Sequence, residues 1–355
     1  MTSATVDDLT TPTVGRTDDP VLSVDNLAIE MRSRLGVGHA VSGVTFAVQR
    51  GETVGLVGES GSGKSLTASA ILQLLPKPIA TVASGSIEFN GSDLLAKSPS
   101  EMRKIRGRHI SMVLQDPLSA LNPVMTIGSQ LRESIRLHTG LRGGALTDRA
   151  VELLELMKIP QPRERLNSYP HQFSGGMRQR VVGAIAIAAE PELLIADEPT
   201  TALDVTVQAA YLELLKELNQ RTGMSMLFIT HDFGVVRSVC DRVAVMYAGR
   251  LAEVASTRAI FSTPRHPYTR ALIDAVPDIR KPTDKLVTIS GSPPSIYNQP
   301  SGCRFRPRCW LYRQLGEPER CRTETPELVA ANKDPEARAA CHFPEEAENR
   351  SPVPA

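Results

Sequence analysis

Eight residues near the start of the chain, GESGSGKS at positions 58–65, constrain its fold more than any other stretch. The apolar run GETVGLVG precedes them and the helical pattern KSLTASAILQLL overlaps their end, which predicts a buried strand, a glycine-rich turn and a helix. Backbone N–H groups of such a turn surround phosphate oxygens, and the positive end of the helix points at them. A chain of this length has a probability on the order of one per cent of matching this glycine-rich loop pattern by chance. We therefore predict a nucleotide-phosphate site.

Individual residues of this loop have predicted roles. The Lys64 ammonium reaches the β- and γ-phosphates, and the Ser65 hydroxyl is a ligand for Mg²⁺. The residues that we expect to contact the nucleotide here are Gly58, Ser60, Gly61, Gly63, Lys64, Ser65 and Leu66.

An acidic pair ends another apolar run, LLIADEPT at positions 193–200. Asp197 is suited to hold Mg²⁺, usually through water, and Glu198 to polarise an attacking water as general base. Acidic residues often end strands, so this pair alone is a weak signal. Together with the phosphate loop it predicts a catalytic site.

A second glycine pair lies in FSGGMRQR at positions 173–180. Two glycines open a helix whose N-terminus is able to bind an anion. A plain helix start explains the same residues equally well. A second anion site makes sense if it serves the nucleotide of another molecule, because the chain already has one phosphate loop.

These motifs, in this order, resemble the ATP-binding subunit of an ABC transporter. The resemblance covers about residues 21–254 and adds four elements to the phosphate loop and IADEP: Gln115, the SGGM signature, ALD at 202–204 and His231. It implies that Gln115 senses Mg²⁺ and the γ-phosphate and that His231 contacts the γ-phosphate, both acting with Glu198. Gln115 would also join Ser65 and Asp197 around the metal ion.

The same resemblance implies composite sites in a head-to-tail dimer. Ser174 and Gly176 would contact ATP bound by the partner, and Asp204 would bridge the two halves. One feature departs from the family pattern. No aromatic residue precedes Phe46, where the family stacks a ring on adenine, and Met31 or His39 would have to substitute.

The expected fold is α/β, a P-loop NTPase core of the ABC ATPase type with an antiparallel β layer. We predict a disordered tail over residues 1–20 and the ATPase domain over 21–254, with a helical subdomain at about 116–185. Prolines multiply and apolar periodicity fades after residue 254, so we predict a C-terminal extension over 255–355.

A narrower resemblance lies in QDPLSALNPVMTIGSQLRE, YPHQFSGGMRQRV, HPYTRALIDAVP and SPPSIYNQPSGCRFRPRC. These stretches are similar to the oligopeptide/dipeptide importer branch, which also includes nickel and glutathione importers. The resemblance implies a peptide importer motor on the cytoplasmic side of the cell membrane. Its partners would be a second, related ATPase, two membrane permease subunits and an extracytoplasmic binding protein.

Four cysteines lie in the extension, Cys303, Cys309, Cys321 and Cys341, separated by five, eleven and nineteen residues. The resemblance implies that they hold a [4Fe–4S] cluster. Zinc is the alternative metal, although structural zinc sites commonly show close CxxC pairs and none is present. Two disulfides or four free thiols are the other possibility. Cys240 stands apart, and we expect it in the core.

Composition limits the remaining function classes. Lys and Arg number 40 against 39 Asp and Glu, which gives no support to a nucleic-acid partner. A non-transport ABC ATPase acting on nucleic acid or the ribosome is therefore the weaker alternative, and a metal-sensing module would not explain the ATPase motifs. The longest apolar run has nine residues, and no export leader is evident.

Overall fold

The computed structural model describes residues 19–201, 203–276, 288–331 and 334–352. Most of the predicted disordered tail and Ala202 of the ALD motif lie outside these residues. The strands are β1 (Leu22–Ser33), β2 (Gly36–Val48), β3 (Thr53–Val57), β4 (Ala80–Phe89), β5 (Ser92–Asp93), β6 (Ile110–Val113), β7 (Leu193–Asp197), β8 (Ser225–Thr230), β9 (Arg242–Tyr247), β10 (Arg250–Ser256), β11 (Val329–Ala331) and β12 (Asp334–Ala339).

Helices connect these strands and form most of the segment between β6 and β7. They are α1 (Lys64–Ile71), α2 (Pro99–Ile105), α3 (Pro117–Ala120), α4 (Ile127–Thr139), α5 (Gly144–Leu156), α6 (Pro162–Arg165), α7 (Gly175–Ala186), α8 (Val205–Thr222), α9 (Phe233–Val239), α10 (Thr257–Ser262), α11 (Pro267–Asp274), α12 (Trp310–Gln314), α13 (Arg320–Thr323) and α14 (Pro344–Asn349). Within the described ranges, no helix is both long and apolar enough to span a bilayer.

The central sheet determines where the functional residues lie. Its order, among the described residues, is β11-β12-β10-β9-β3-β8-β7-β6. Strands β9, β3, β8, β7 and β6 are parallel, and β3, β7 and β8 are buried along their whole length. Continuous apolar runs such as TVGLV and SMLFIT suit strands that are covered on both faces. The carboxyl ends of these parallel strands lie at one edge of the sheet.

A second sheet forms the predicted antiparallel layer, with the order β2-β1-β4-β5 among the described residues. Its inward side chains, such as Leu27 and Ile87, share one core with Ala68 and Ile71 of α1. Leu56 and Ile195 of the central sheet belong to the same core. This packing fixes the antiparallel layer beside the start of α1, next to the phosphate loop.

Helices α3 to α7 lie where the helical subdomain is predicted. Helix α4 begins after Thr126, whose hydroxyl accepts from the N–H of Ser129, and ends at Gly140, which has φ 74°. Its Leu131 and Ile135 are fully buried in the large core. Apolar residues at this spacing form one face of a helix, and burial of that face holds the subdomain together.

The residues after 254 are attached to the central sheet rather than separate from it. Strand β12 pairs with β10 through Glu253 and Val254, and β11 pairs with β12. Phe305 and Leu311 of this segment belong to the large core that the central sheet and the helical subdomain also share.

Candidate nucleotide site

The phosphate loop, residues 58–65, connects β3 to α1. Gly58 lies so close to β9 that a Cβ atom on it would be 2.2 Å from the carbonyl oxygen of Met246. Gly63 has φ 107°, a conformation that side chains disfavour, and it precedes the first residue of α1. The glycines therefore permit both the close approach of the loop to the sheet and its sharp entry into the helix.

Lys64 is buried inside this loop. Its ammonium donates to the carbonyl oxygens of Gly58 at 2.7 Å and Glu59 at 3.0 Å. Burial lowers the pKa of Lys64, while the carboxylates of Glu198, Asp197 and Glu59 oppose that shift. The charged group is thus held at the centre of the loop, where it is available to phosphate oxygens.

Two of the predicted magnesium ligands are already in contact. The Ser65 hydroxyl donates to Oδ1 of Asp197 at 3.2 Å, and burial raises the pKa of Asp197. A hydroxyl and a carboxylate are oxygen ligands of the kind that Mg²⁺ prefers, and Mg²⁺ also keeps waters and substrate phosphates. This donor pair fits the predicted magnesium ion.

The three predicted catalytic side chains meet at Glu198. Its Oε2 accepts from Nε2 of Gln115 at 3.0 Å, and its Oε1 lies 3.0 Å from Nδ1 of His231. These residues follow β7, β6 and β8 respectively. Strands that are parallel neighbours end at the same edge of a sheet, so residues far apart in sequence are brought together.

The backbone of Glu198 is itself unusual. Its φ is 46°, although it is not glycine, and its N–H donates to the carbonyl oxygen of Ile229 at 2.9 Å. Thr201, which the motifs did not single out, donates its hydroxyl to Oε2 of Glu198 at 3.1 Å. Strained backbone of this kind clusters at active sites. The turn after β7 therefore aims this carboxylate.

The other predicted nucleotide contacts lie elsewhere and make local interactions. The Ser174 hydroxyl accepts from the N–H of Met177 and caps α7, and the Asp204 carboxylate caps α8 by accepting from the N–H of Val207. A Cβ on Gly176 would be 2.4 Å from Val207, so α7 and α8 need glycine there. The structure does not bring these three residues to the phosphate loop of their own chain.

The two residues that the sequence offers for the base, Met31 and His39, lie on β1 and β2. Met31 packs half-buried against the core, and His39 is exposed with its imidazole 3.9 Å from Glu30. A Cβ on Gly38 would be 2.7 Å from Ile296 and 2.9 Å from a ring carbon of Tyr297. The extension therefore places an aromatic ring beside Gly38 of β2.

The four cysteines of the extension lie near one another. The N–H of Cys303 donates to the carbonyl oxygen of Cys321 at 3.0 Å. The sulfurs of Cys309 and Cys341 accept at 3.4 Å from the N–H groups of Tyr312 and Phe343 respectively.

Burial, and then the charges of neighbouring cysteines, raise the pKa of Cys309 to about 12, of Cys321 to about 11, and also that of Cys341. Within the described residues, no group of three or more His, Cys, Asp or Glu side chains is placed to hold a metal ion. Cys240 is buried in the core, as expected from the sequence.

A phosphate loop, a magnesium pair and a carboxylate at the strand ends, on a parallel sheet with an antiparallel layer and a helical subdomain, define an ATP-binding cassette. Solved structures share this fold. A dimeric structure of the cassette MJ0796 bound to ADP and Pi is 28% identical, with TM-score 0.60, and the match covers 67% of this chain and 99% of that one. CbiO1 from Clostridium perfringens is 27% identical with TM-score 0.60, over 68% and 91% of the two chains.

Family comparisons narrow the class. Residues 41–201 match the family "ABC transporter", and residues 252–314 match "Oligopeptide/dipeptide transporter, C-terminal region". The dipeptide transport ATP-binding protein DppD of Bacillus subtilis is 50% identical, over 82% of this chain and 87% of its own length. The Escherichia coli DppD is 43% identical, over 91% and 97%. The chain belongs to the ATP-binding proteins of ABC transporters that carry the oligopeptide/dipeptide C-terminal region, and it is an ATPase coupled to transport.

Proposed function

We propose that this ATPase drives import of dipeptides and oligopeptides. The observation that carries the motor function is the contact of Glu198 with Gln115 and His231, next to the paired Ser65 and Asp197. The cargo is supported by relatives named for dipeptide and oligopeptide transport, including OppD of Bacillus subtilis at 50% identity.

In this function each residue has one task. Lys64 neutralises the triphosphate, Mg²⁺ supplies further positive charge when bound by Ser65, Asp197 and Gln115, and Glu198 takes a proton from the attacking water. Without nucleotide, His231 contacts the Glu198 carboxylate. When ATP is bound, His231 contacts the γ-phosphate. Because Glu198 accepts bonds from two sides, its orientation is fixed before the substrate arrives.

Ser174 and Gly176 serve the nucleotide of a partner cassette in this proposal. They lie at the start of α7, a helix of 12 residues, whereas the phosphate loop of the same chain lies between β3 and α1. Helix N-termini favour anions, so the second loop suits a phosphate presented by another subunit. The structural neighbour MJ0796 is described as dimeric. Asp204 would then act at the contact between the halves.

Tyr297 is our candidate for the adenine contact, in place of Met31 or His39. The N–H of His39 donates to the carbonyl oxygen of Ile296 at 3.0 Å, which holds the segment against β2. At the next residue of β2, the Ala40 carbonyl oxygen lies 3.0 Å from the position of a Cβ on Gly63 of the phosphate loop. The ring is thus near the triphosphate site, and aromatic rings stack on bases of any sequence.

The assembly would place the chain at the cytoplasmic face of the cell membrane as a peripheral subunit. Leu114 and Val124 are exposed apolar side chains beside Gln115 and in the helical subdomain. Exposed apolar side chains at this site suit a permease contact that reports to the catalytic glutamine. Two permeases, a second related ATPase and an extracytoplasmic binding protein would complete the importer.

The four extension cysteines are our candidates for a [4Fe–4S] cluster. Four thiolates hold such a cluster, and backbone N–H bonds to their sulfurs, as at Cys309 and Cys341, tune it. A zinc ion held by the same four thiols is the alternative. Either group would tie together a segment of short helices.

The cluster is tested by purifying the full-length protein without oxygen. We expect about four iron and four sulfide per chain and a brown colour. Cys321→Ser should remove the colour and most of the iron, whereas the control Cys240→Ser should keep both. Colourless protein with one zinc would replace the cluster by a zinc site, and protein without any metal would contradict both.

Peptide import is tested by reconstituting the chain with two permeases, a second ATPase and a binding protein of a peptide importer. We expect vesicles to accumulate a labelled dipeptide only with ATP, and excess unlabelled oligopeptide to compete. Competition by nickel or glutathione instead would retain the motor function and change the cargo. ATP hydrolysis stimulated by nucleic acid but not by the permeases would contradict the proposal.

A further inference from the structure

Glu59, the second residue of the phosphate loop, is bound by the C-terminal extension. Glu59 and Arg308 form a two-point ion pair, with Nη1 to Oε2 at 2.6 Å and Nη2 to Oε1 at 3.0 Å. The two residues are 249 positions apart, and Arg308 immediately precedes Cys309. The pair therefore connects the cysteine-bearing segment to the loop that holds ATP phosphates.

Arg308 is held in one orientation. Its side chain is only 6% exposed, and its Nε donates to the carbonyl oxygen of Ser290 at 3.1 Å. The guanidinium also lies over the ring of Tyr247, 5.7 Å from the centroid. Exposed ion pairs contribute little because their long side chains move and water screens them. The Arg308 guanidinium is buried, makes two hydrogen bonds to one carboxylate and stacks on a ring, so it is neither mobile nor strongly screened by water.

The backbone of Glu59 is fixed separately. Its N–H donates to the hydroxyl oxygen of Tyr268 at 2.9 Å. Burial raises the pKa of Tyr268, so the hydroxyl stays neutral. The Tyr268 ring packs on Tyr247 and Phe305, with centroids at 4.7 and 5.3 Å. Loss of the Arg308 side chain would therefore leave the loop backbone in place and change mainly the charge balance.

That charge balance concerns Lys64. The carboxylate of Glu59 acts electrostatically on the Lys64 ammonium, and the Glu59 carbonyl accepts from it at 3.0 Å. An unpaired Glu59 carboxylate would compete with the triphosphate for Lys64, and its negative charge would repel the triphosphate. We propose that Arg308 is a positioning residue for ATP binding, which neutralises Glu59 and so leaves Lys64 to the phosphates. The proposal assumes that the phosphate loop binds ATP, as stated above.

The test measures ATP affinity and turnover of the full-length chain in its assembled transporter. Arg308→Met should raise the Kd for ATP roughly tenfold, while turnover at saturating ATP changes less than about twofold. The matched control is Arg313→Met, an exposed arginine of the same segment, which should leave both quantities unchanged. Adding Glu59→Gln to Arg308→Met should return the Kd to within about threefold of wild type, because no carboxylate remains to be neutralised.

Two results would overturn the proposal. One is an unchanged Kd in folded Arg308→Met protein. The other is a double variant that binds ATP as weakly as Arg308→Met, which would mean that Arg308 acts only by packing. If Arg308→Met does not fold, the double variant decides: near-wild-type affinity supports the proposal, and a tenfold loss contradicts it. Failure of the wild-type chain to bind ATP would instead contradict the proposed function.

Discussion

The cassette and the extension place their functional residues by different means. In the cassette, three parallel strands end at one edge and bring Gln115, Glu198 and His231 within hydrogen-bond distance. In the extension, helices are as short as four residues, and position depends on a buried arginine and packed aromatic rings. The first arrangement follows from backbone topology. The second depends on contacts between individual side chains.

This difference explains what the sequence could predict. Apolar strands followed by glycine or acidic residues have a recognisable pattern, so the sequence predicts the turn between β3 and α1 and the acidic pair at the end of β7, where the structure has them. The roles of these residues stay predictions. The contacts of Glu59 with Arg308 and Tyr268 have no such signal, because residues 249 and 209 positions apart carry no shared periodicity. Only the folded chain shows that the extension borders the nucleotide site.

The proposed base contact illustrates the same point. The sequence showed that an aromatic residue is missing before Phe46, and it offered Met31 or His39 from the same region. Sequence reasoning considers neighbours in the chain, whereas Tyr297 reaches Gly38 from the other end of it. The extension could also be mistaken for a separate unit, since its periodicity fades, yet β12 pairs with β10. The boundary at 254 remains a prediction.

The largest effect should come from the cassette. Glu198→Gln keeps a side chain that bonds with Gln115 and His231 but removes its basicity. We expect turnover at this site to fall about 10²- to 10⁴-fold while ATP still binds. Hydrolysis in the transporter, with the partner site disabled, measures this. Wild-type turnover would show that Glu198 is not the base, and loss of ATP binding would indicate a structural role.

A smaller effect should follow from the extension. Base stacking contributes about 1–3 kcal/mol, so Tyr297→Ala should raise the Kd for ATP about 5- to 150-fold. Tyr297→Phe is the matched control, because it keeps the ring. Binding of Mg²⁺-tripolyphosphate, which has no base, should not change in either variant. Equal losses for ATP and tripolyphosphate would mean that Tyr297 only supports β2, and no loss for either would remove it from the site.

The smallest effect concerns His266, which joins the two regions. It is buried after α10, and its Nδ1 accepts from the N–H of Tyr268 at 3.0 Å. Burial lowers the pKa of His266 to about 3, whereas an unfolded histidine titrates near 6.5. Between these values the unfolded chain binds the proton and the folded chain does not. The contribution of His266 to the free energy of unfolding is therefore fully present above about pH 6.5 and is lost as the pH falls toward 3.

His266→Asn tests this pH dependence, because the amide oxygen can still accept from Tyr268 but does not titrate. Wild-type stability should fall by about 1 kcal/mol more than that of the variant between pH 7.5 and 5.5, measured by urea unfolding. Glu253 accepts from the N–H of His266 at 3.0 Å, and burial raises its pKa to about 7, so its own stability contribution runs in the opposite direction. Glu253 is present in both proteins, so the comparison isolates His266. The exposed His171→Asn serves as control, and equal slopes in wild type and His266→Asn would show that His266 titrates normally in the folded chain.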